Sequence, residues 1–266
     1  LLGGYLLFYW TVSFAQTWAA LLSAGIVPGA GLAGRRVLDL GAGPGPSSLA
    51  LLAAGAASVT AVDASRPALE IAAELARRSG RRLETRVADL ASGARLPDGR
   101  FDLVTAVHAV NELWPDRGDR LELRRVFVES LKRHLAPGGR MLLVDPALTA
   151  TANEAIELRD ALEAGGWRVL APCTRGGRCP ALPSGTCHAD VAWDPPPAVR
   201  RIGHAARIGR ERLAFSYFLL EPPGDASVAA ARPSYRVVSD RFLSKSGRLR
   251  VLLCGPDGRF PLSVDS

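Results

Sequence analysis

The stretch that decides the fold is Arg35–Ser48, "RRVLDLGAGPGPSS". A short, mostly apolar run ends in Gly41, Gly43 and Gly45 and passes straight into "PSSLALLAAG", a helix-forming segment. A buried strand that closes on glycines at a helix start lets the backbone turn tightly and approach a ligand. The pattern then repeats. "SVTAVDAS" reads as a second strand and "RPALEIAAELARRSG" as its helix, while "RLETRVADL" and "FDLVTAVHAV" read as strands three and four. "DRLELRRVFVESLKRHLAPGG" is a long helix closed by Pro-Gly-Gly, and "RMLLVDP" is strand five. Strands alternating with helices of this length predict a parallel sheet covered on both faces.

In such sheets ligands bind at the carboxyl ends of the strands. Asp63 ends strand two, where a carboxylate accepts two ribose hydroxyls, and Asp89 ends strand three, within reach of an adenine amino group. A G-x-G-x-G loop alone also serves dinucleotide enzymes, but Pro46 stands where their fingerprint has its third glycine. Taken together, "VLDLGAGPG", "AVDAS", "VADL", "FDLVTAVHAVNEL" and "LAPGGRMLLV" resemble the class I S-adenosylmethionine-dependent methyltransferases over about residues 35–165. The resemblance implies that Gly41, Gly43 and Gly45 line the methionine part of the cofactor, that Asp63 binds the ribose and Asp89 the adenine. It also puts the segment after strand four near the methyl group, making His108, Asn111 and Glu112 the catalytic candidates. His108 offers a base that titrates near neutral pH, or else is a half-buried histidine satisfied by the chain. Asn111 holds an amide or base edge, or else caps a helix. The loop lacks the Asn-Pro-Pro-aromatic run that amino-group methyltransferases use.

With 266 residues the chain is long enough for one large domain, or one domain plus a small appendage, and 48% hydrophobic with 22% charged residues is the composition of a folded rather than a disordered protein. All but Lys132 and Lys245 of the 33 basic side chains are arginine. Residues 1–164 are neutral overall, and the whole +7 lies in residues 165–266. That asymmetry points the second half at a polyanion, against the alternative of a solvated basic face. Before Arg35 there is no charge. Thr11, Ser13, Gln16 and Thr17 interrupt the apolar start, and Trp10, Phe14 and Trp18 form one helical stripe. We therefore expect a helix packed on the domain rather than a membrane span or a secretory signal.

The four cysteines set the remaining question. "WRVLAPC" is a sixth strand and "RLAFSYFLLE" a seventh, normally adjacent and antiparallel, yet Pro172–Glu211 lies between them. This Pro/Gly-rich connection reads as irregular, held by something other than a core of its own. Its cysteines follow C-x5-C-x7-C, and Cys254 comes much later, in "VLLCGPDG". Zinc sites usually show closer pairs, and nothing points to an oxidising compartment. Wide spacings suit an iron–sulfur cluster, with zinc and unligated thiols as alternatives.

A methyltransferase domain followed by "APC", "CP", "CH", "FSYFLL" and "LCGPDG" resembles the methyltransferase-like family of ribosomal small-subunit assembly proteins, mitochondrial and bacterial. The resemblance implies a 4Fe–4S cluster on Cys173, Cys179, Cys187 and Cys254, with His188 in a supporting role. It also implies binding to the small ribosomal subunit or its RNA. Thr186 and Ala189 stand where that family often has aromatic residues. Arg175, Arg178, Arg200, Arg201, Arg207, Arg210 and Arg212 become the RNA-binding candidates, since arginine forks match phosphate.

The expected organisation is an N-terminal helical segment (1–34), a Rossmann-like cofactor domain (35–170), and a Cys/Arg-rich insertion between strands six and seven (171–213). A last core strand and linker (214–233) and a C-terminal β unit supplying Cys254 (234–266) complete it. Three functions compete: an rRNA methyltransferase, a non-catalytic assembly factor that keeps its cofactor pocket, and a small-molecule methyltransferase with a zinc-stapled lid. No membrane or DNA partner is expected. The expected compartment is the cytoplasm of a bacterium, or the mitochondrial matrix of a eukaryote.

Overall fold

The structure is a computed structural model that describes residues 2–182, 185–224, 234–243 and 247–264. Its main sheet runs β3 (Glu84–Val87), β2 (Ser58–Asp63), β1 (Arg36–Leu40), β4 (Phe101–Val107), β5 (Leu135–Pro146), β8 (Arg212–Glu221), β6 (Arg168–Ala171). The first five of these are parallel, and β8 is antiparallel to both β5 and β6. This is the expected class I methyltransferase sheet.

Alternation along the strands builds two cores. Met141 and Leu143 of β5 face α5 (Arg120–Ser130) and α6 (Thr149–Ala164) with Val128, Ile156 and Leu162. Leu142 and Val144 face α2 (Trp10–Ser23) and α3 (Pro46–Ala53) with Val12, Leu21 and Leu51. Apolar side chains on both faces are what a covered parallel sheet requires. Helix α4 (Arg66–Arg78) adds Leu69 against Ala42 and Ala61.

The chain enters through α1 (Leu2–Gly4) and a π-helical stretch, Tyr5–Tyr9, that runs on into α2. The N-terminal segment packs as expected, but not on the stripe we expected. Trp10, Phe14 and Trp18 stack on one another at centroid separations of 5.7 and 6.4 Å and stay half-buried. The buried face is Val12, Ser13, Gln16, Thr17 and Ala19–Leu21. The polar residues in the middle of α2 point inward, because they have partners there. No helix among the described residues is long and apolar enough to cross a membrane.

The insertion is more ordered than its Pro/Gly content predicted. It carries β7 (Ala189–Ala192) and α7 (Pro197–Ala205). Strand β6 pairs with Leu219–Glu221 of β8, and β7 with Arg212–Phe215, both antiparallel. The two are therefore one edge strand interrupted, and residues 172–188 leave the sheet opposite Ser216–Phe218. Helix α7 starts on a proline, whose fixed φ suits the first turn. It seats Gly203 against Phe8: a Cβ there would lie 2.9 Å from the Phe8 ring.

A second, antiparallel sheet has the order β10 (Phe242–Leu243), β11 (Leu249–Gly255), β12 (Gly258–Val264), with β9 (Arg236–Val237) also on β11. An Asp-Gly turn joins β11 to β12, with Gly258 at φ 105°. Residues 225–233 of the expected linker before this sheet lie outside the described residues.

Candidate functional site

Gly41, Gly43 and Gly45 all take positive φ, at 67°, 52° and 81°. Their surroundings differ. A Cβ at Gly41 would stand 2.4 Å from Ala109 Cβ, and one at Gly45 2.7 Å from Ala72 Cβ. A Cβ at Gly43 meets nothing within 4 Å. Two of the three glycines serve packing, and Gly43 alone opens on a cleft. Its N–H donates to Asp63 Oδ2 at 2.8 Å, while Asp63 Oδ1 accepts from Ser65 N. Each carboxylate oxygen keeps a lone pair for a ribose hydroxyl. Asp89 is exposed and caps the turn Leu90–Ser92 by accepting from Ala91 N at 2.9 Å.

A buried acid that sequence reasoning missed holds this loop in place. Asp39 accepts the hydroxyls of Ser47 and Ser48, both at 2.6 Å, and of Thr105 at 2.8 Å. Burial pushes its carboxyl up, and the three hydroxyls oppose that shift. The hydroxyl residues of "LGAGPGPSS" were the available signal.

Helix α2 roofs the cleft. Trp10 Nε1 donates to Pro44 O at 2.9 Å, inside the glycine loop. Gln16 Nε2 donates to Ala214 O at 3.1 Å, which leaves Gln16 Oε1 to accept from His108 Nε2 at 2.8 Å. That bond fixes the tautomer: Nε2 carries the hydrogen and the buried Nδ1 keeps a lone pair with no partner. Burial, with help from Arg210, lowers the His108 pKa to about 4. The expectation of a base poised near neutral pH is corrected. His108 is a neutral, weakly basic acceptor, because its desolvated ring faces a cation rather than a carboxylate.

Asn111 lies in the 3-10 turn Val110–Glu112 and not at a helix cap; its backbone O accepts from Arg124 at 2.6 Å. Asn111 Oδ1 and Asp145 Oδ1 are buried without partners. Burial raises Asp145 to about 7, against the pull of Arg124 and the Asn111 N–H. Burial and the field of Asp63 raise Glu112. Tyr5 is raised by burial and, more weakly, by Glu112 and Asp63, so it shares the cleft with both. The chain thus presents Gly43, two carboxylates and several unpartnered acceptors around one opening. S-adenosylmethionine, with a sulfonium, an ammonium and ribose hydroxyls, fits that set.

The family model described as "Methyltransferase domain" matches residues 37–139. Over these residues the chain is similar to methyltransferase domains. It is 39% identical over 139 residues to "Cypemycin N-terminal methyltransferase" of Streptomyces sp, covering 48% of this chain and 53% of that protein. It is 34% identical over 125 residues to "Methyltransferase GfsG" of Streptomyces halstedii, covering 46% and 41%. The chain therefore spans about half or less of these relatives' lengths. A solved magnesium protoporphyrin IX methyltransferase with bound SAM, from Synechocystis PCC 6803, aligns at TM-score 0.48 and 16% identity, over 79% of this chain and 80% of that one.

Outside the matched residues, the interrupted edge strand gathers the cysteines. Cys173, Cys179 and Cys187 pack half-buried against the α5/α6 core. Ser216 Oγ donates to Cys187 O at 3.2 Å, and Thr174 Oγ1 to Cys254 O at 3.2 Å, which docks β11 on the loop. Each of the first three thiols feels others of the four: Cys173 feels Cys187 and Cys179, while Cys179 and Cys187 both feel Cys254. Burial pushes Cys173 up to about 12 despite Arg159 beside it, and raises Cys179 and Cys187. His188 is exposed, with Thr186 Oγ1 3.5 Å from its Nδ1.

Among the described residues, no group of three or more His, Cys, Asp or Glu side chains is arranged to hold a metal ion. That finding bears alike on zinc and on an iron–sulfur core, both of which take thiolate ligands. A cavity of about 540 Å³, apart from the glycine cleft, opens between α6 and this loop, lined by Asp160, Glu163, Gly177 and Arg178.

The seven arginines divide. Arg200 is paired with Asp194, and Arg212 with Asp190 at 2.8 Å. Arg175 buries its Nε and spends Nη1 on Arg178 O. Arg178, Arg201, Arg207 and Arg210 are exposed. The cations in the field of the cysteines are Arg159, Arg236 and Arg259, none of them among the seven.

Proposed function

We propose that this protein binds S-adenosylmethionine in the Gly43–Asp63 cleft, carries a 4Fe–4S cluster on Cys173, Cys179, Cys187 and Cys254, and acts on the small ribosomal subunit through its RNA. The observation that carries this reading is the convergence of three cysteines from the break in the edge strand with Cys254 from β11 of the second sheet. The buried Nε–H groups of Arg159 and Arg259 there have no acceptor among the described residues. An anionic, sulfur-rich group supplies what both the thiols and the donors lack.

When bound, the cofactor supplies an activated methyl group on a sulfonium. The chain's part is positioning. Gly43 N and Asp63 hold the ribose side, Asp89 keeps one oxygen for the adenine amino group, and α2 closes over the loop through Trp10. Asn111 Oδ1 and Asp145 Oδ1 stand ready to accept N–H donors, and Asp145 takes up a released proton. Arg201, Arg207 and Arg210 meet the phosphates on the α7 side, where His108 already feels Arg210, and Arg178 meets them beside α6.

The test is anaerobic purification with iron and sulfide analysis, followed by methyl incorporation into small-subunit RNA. Brown, iron-loaded protein that methylates this RNA supports the whole reading. Cluster-loaded protein that binds the RNA without methylating it, no better than an Asp63→Ala control, makes it an assembly factor. Colourless protein that ignores RNA leaves the small-molecule reading, to which the similarity to the Streptomyces enzymes belongs.

A further inference from the structure

Arg159 is the largest fully buried side chain, 1% exposed, and it sits on α6 rather than in the cysteine loop. Its guanidinium pairs with Asp160 at 2.7 Å and Glu163 at 2.8 Å. It also donates to Gly177 O at 2.5 Å and Arg175 O at 3.3 Å, both in the loop. Asp160 in turn accepts Cys179 N at 3.1 and 3.0 Å. The same guanidinium lies beside the Cys173 sulfur. A cation this deep needs anionic partners on every side, and two carboxylates account for only part of its fork.

One donor is left over. Arg159 Nε is buried with no partner, and so are Arg175 Nε and Arg259 Nε. The three come from α6, from the cysteine loop, and from β12, where Arg259 lies opposite Cys254 in the ladder. Arg159 and Arg259 lie in the field of the thiols, while Arg175 belongs to the loop that carries three of them. Buried donors normally find acceptors, so the Arg159 and Arg259 orphans at this site mark an acceptor that the chain does not provide.

We infer that Arg159, seconded by Arg259, is a positioning residue that gives N–H···S hydrogen bonds and positive charge to the cluster, and thereby sets its reduction potential. This rests on the cluster reading above. Reduction adds one electron to the cluster and breaks no bond, so the reduced form carries one more negative charge. Hydrogen bonds to sulfur and a nearby cation both favour that form. Removing them makes the cluster harder to reduce.

The experiment uses the full chain, loaded anaerobically with ferrous iron and sulfide and titrated with dithionite under a spectroscopic readout. Wild type is compared with Arg159→Lys, Arg159→Gln and Arg259→Gln. The expected result is unchanged iron and sulfide content, a midpoint potential moved negative in R159Q, a smaller shift of the same sign in R259Q, and recovery in R159K. Should R159Q not fold, R259Q and R159K still report, and equal potentials in those two and wild type overturn the inference. A cluster-bearing wild type whose potential is indifferent to all three substitutions overturns it while leaving the cluster standing. A wild type that takes up no iron overturns the cluster reading and this inference with it.

Discussion

A methyl group added at Gly45 would stand 2.7 Å from Ala72 Cβ, at a backbone φ of 81°. Gly45→Ala is therefore expected to destabilise the fold by about 2–3 kcal/mol through overpacking and left-handed strain. Gly43→Ala shares the strain but not the clash. It should cost about 1 kcal/mol of stability while weakening S-adenosylmethionine binding about tenfold or more. Thermal melts and calorimetric titration of the two variants separate these effects; equal losses in both assays would refute the division. His108 and Asp145 allow a second test. The folded pKa of His108 is depressed to about 4 from 6.5, so its contribution is complete above pH 6.5 and is lost as pH falls toward 4. Asp145 is raised to about 7 from 3.8, so its contribution is complete below pH 3.8 and is lost as pH rises toward 7. The two slopes oppose each other between pH 4 and 6.5. His108→Gln should gain stability relative to wild type as pH falls through that window, by up to about 3 kcal/mol, and Asp145→Asn should lose it. Denaturant midpoints at pH 4.5 and 6.5 that move in parallel for all three proteins would contradict both assignments.

Among the elements, α7 has a narrow seat. A Cβ at Gly203 would meet Phe8 at 2.9 Å and Gly209 Cα at 3.0 Å. Gly203→Val should push α7 off the N-terminal helix at a cost of about 1–3 kcal/mol, and RNA affinity should fall with it while S-adenosylmethionine binding holds. Filter binding and a melt on the same variant check this; RNA affinity unchanged in a destabilised G203V would detach α7 from RNA. The sequence made β1 to β5 legible because a covered parallel strand is a short apolar run ending in a glycine or an acid. It hid α7. Val199, Ile202 and Gly203 keep helical spacing after a proline start, but prolines and glycines on either side read as loop. The roof of α2 was hidden for another reason. Gln16 and Trp10 act through single bonds to residues far along the chain, Gln16 to His108 and Ala214 and Trp10 to Pro44, and no local pattern encodes such partners. Arg159 likewise looks like any arginine of an α6 surface until the loop closes over it.

For the whole molecule, the charge asymmetry becomes useful only after pairing is known. The +7 resides in residues 165–266, yet Arg200 and Arg212 are spent on Asp194 and Asp190, and Arg159, Arg236 and Arg259 face the cysteines. Of the seven candidates from the insertion, Arg201, Arg207 and Arg210 stay exposed on and just after α7, and Arg178 beside α6, with Arg210 also in the field of His108. On the proposed reading, these arginines are the ones left to contact RNA phosphates. Each unpaired arginine changed to alanine should lower the slope of log affinity against log salt by about 1, uniformly across RNA sequences. Arg200→Ala and Arg212→Ala should lower it less, because each also frees an aspartate that was already neutralising it. Measuring small-subunit RNA binding across a salt series for all six variants decides the matter. If the paired and unpaired arginines lower the slope alike, the contact is diffuse charge. If only the unpaired ones do, the RNA path runs over α7 toward His108, and the cysteine site lies beside that path as its anchor.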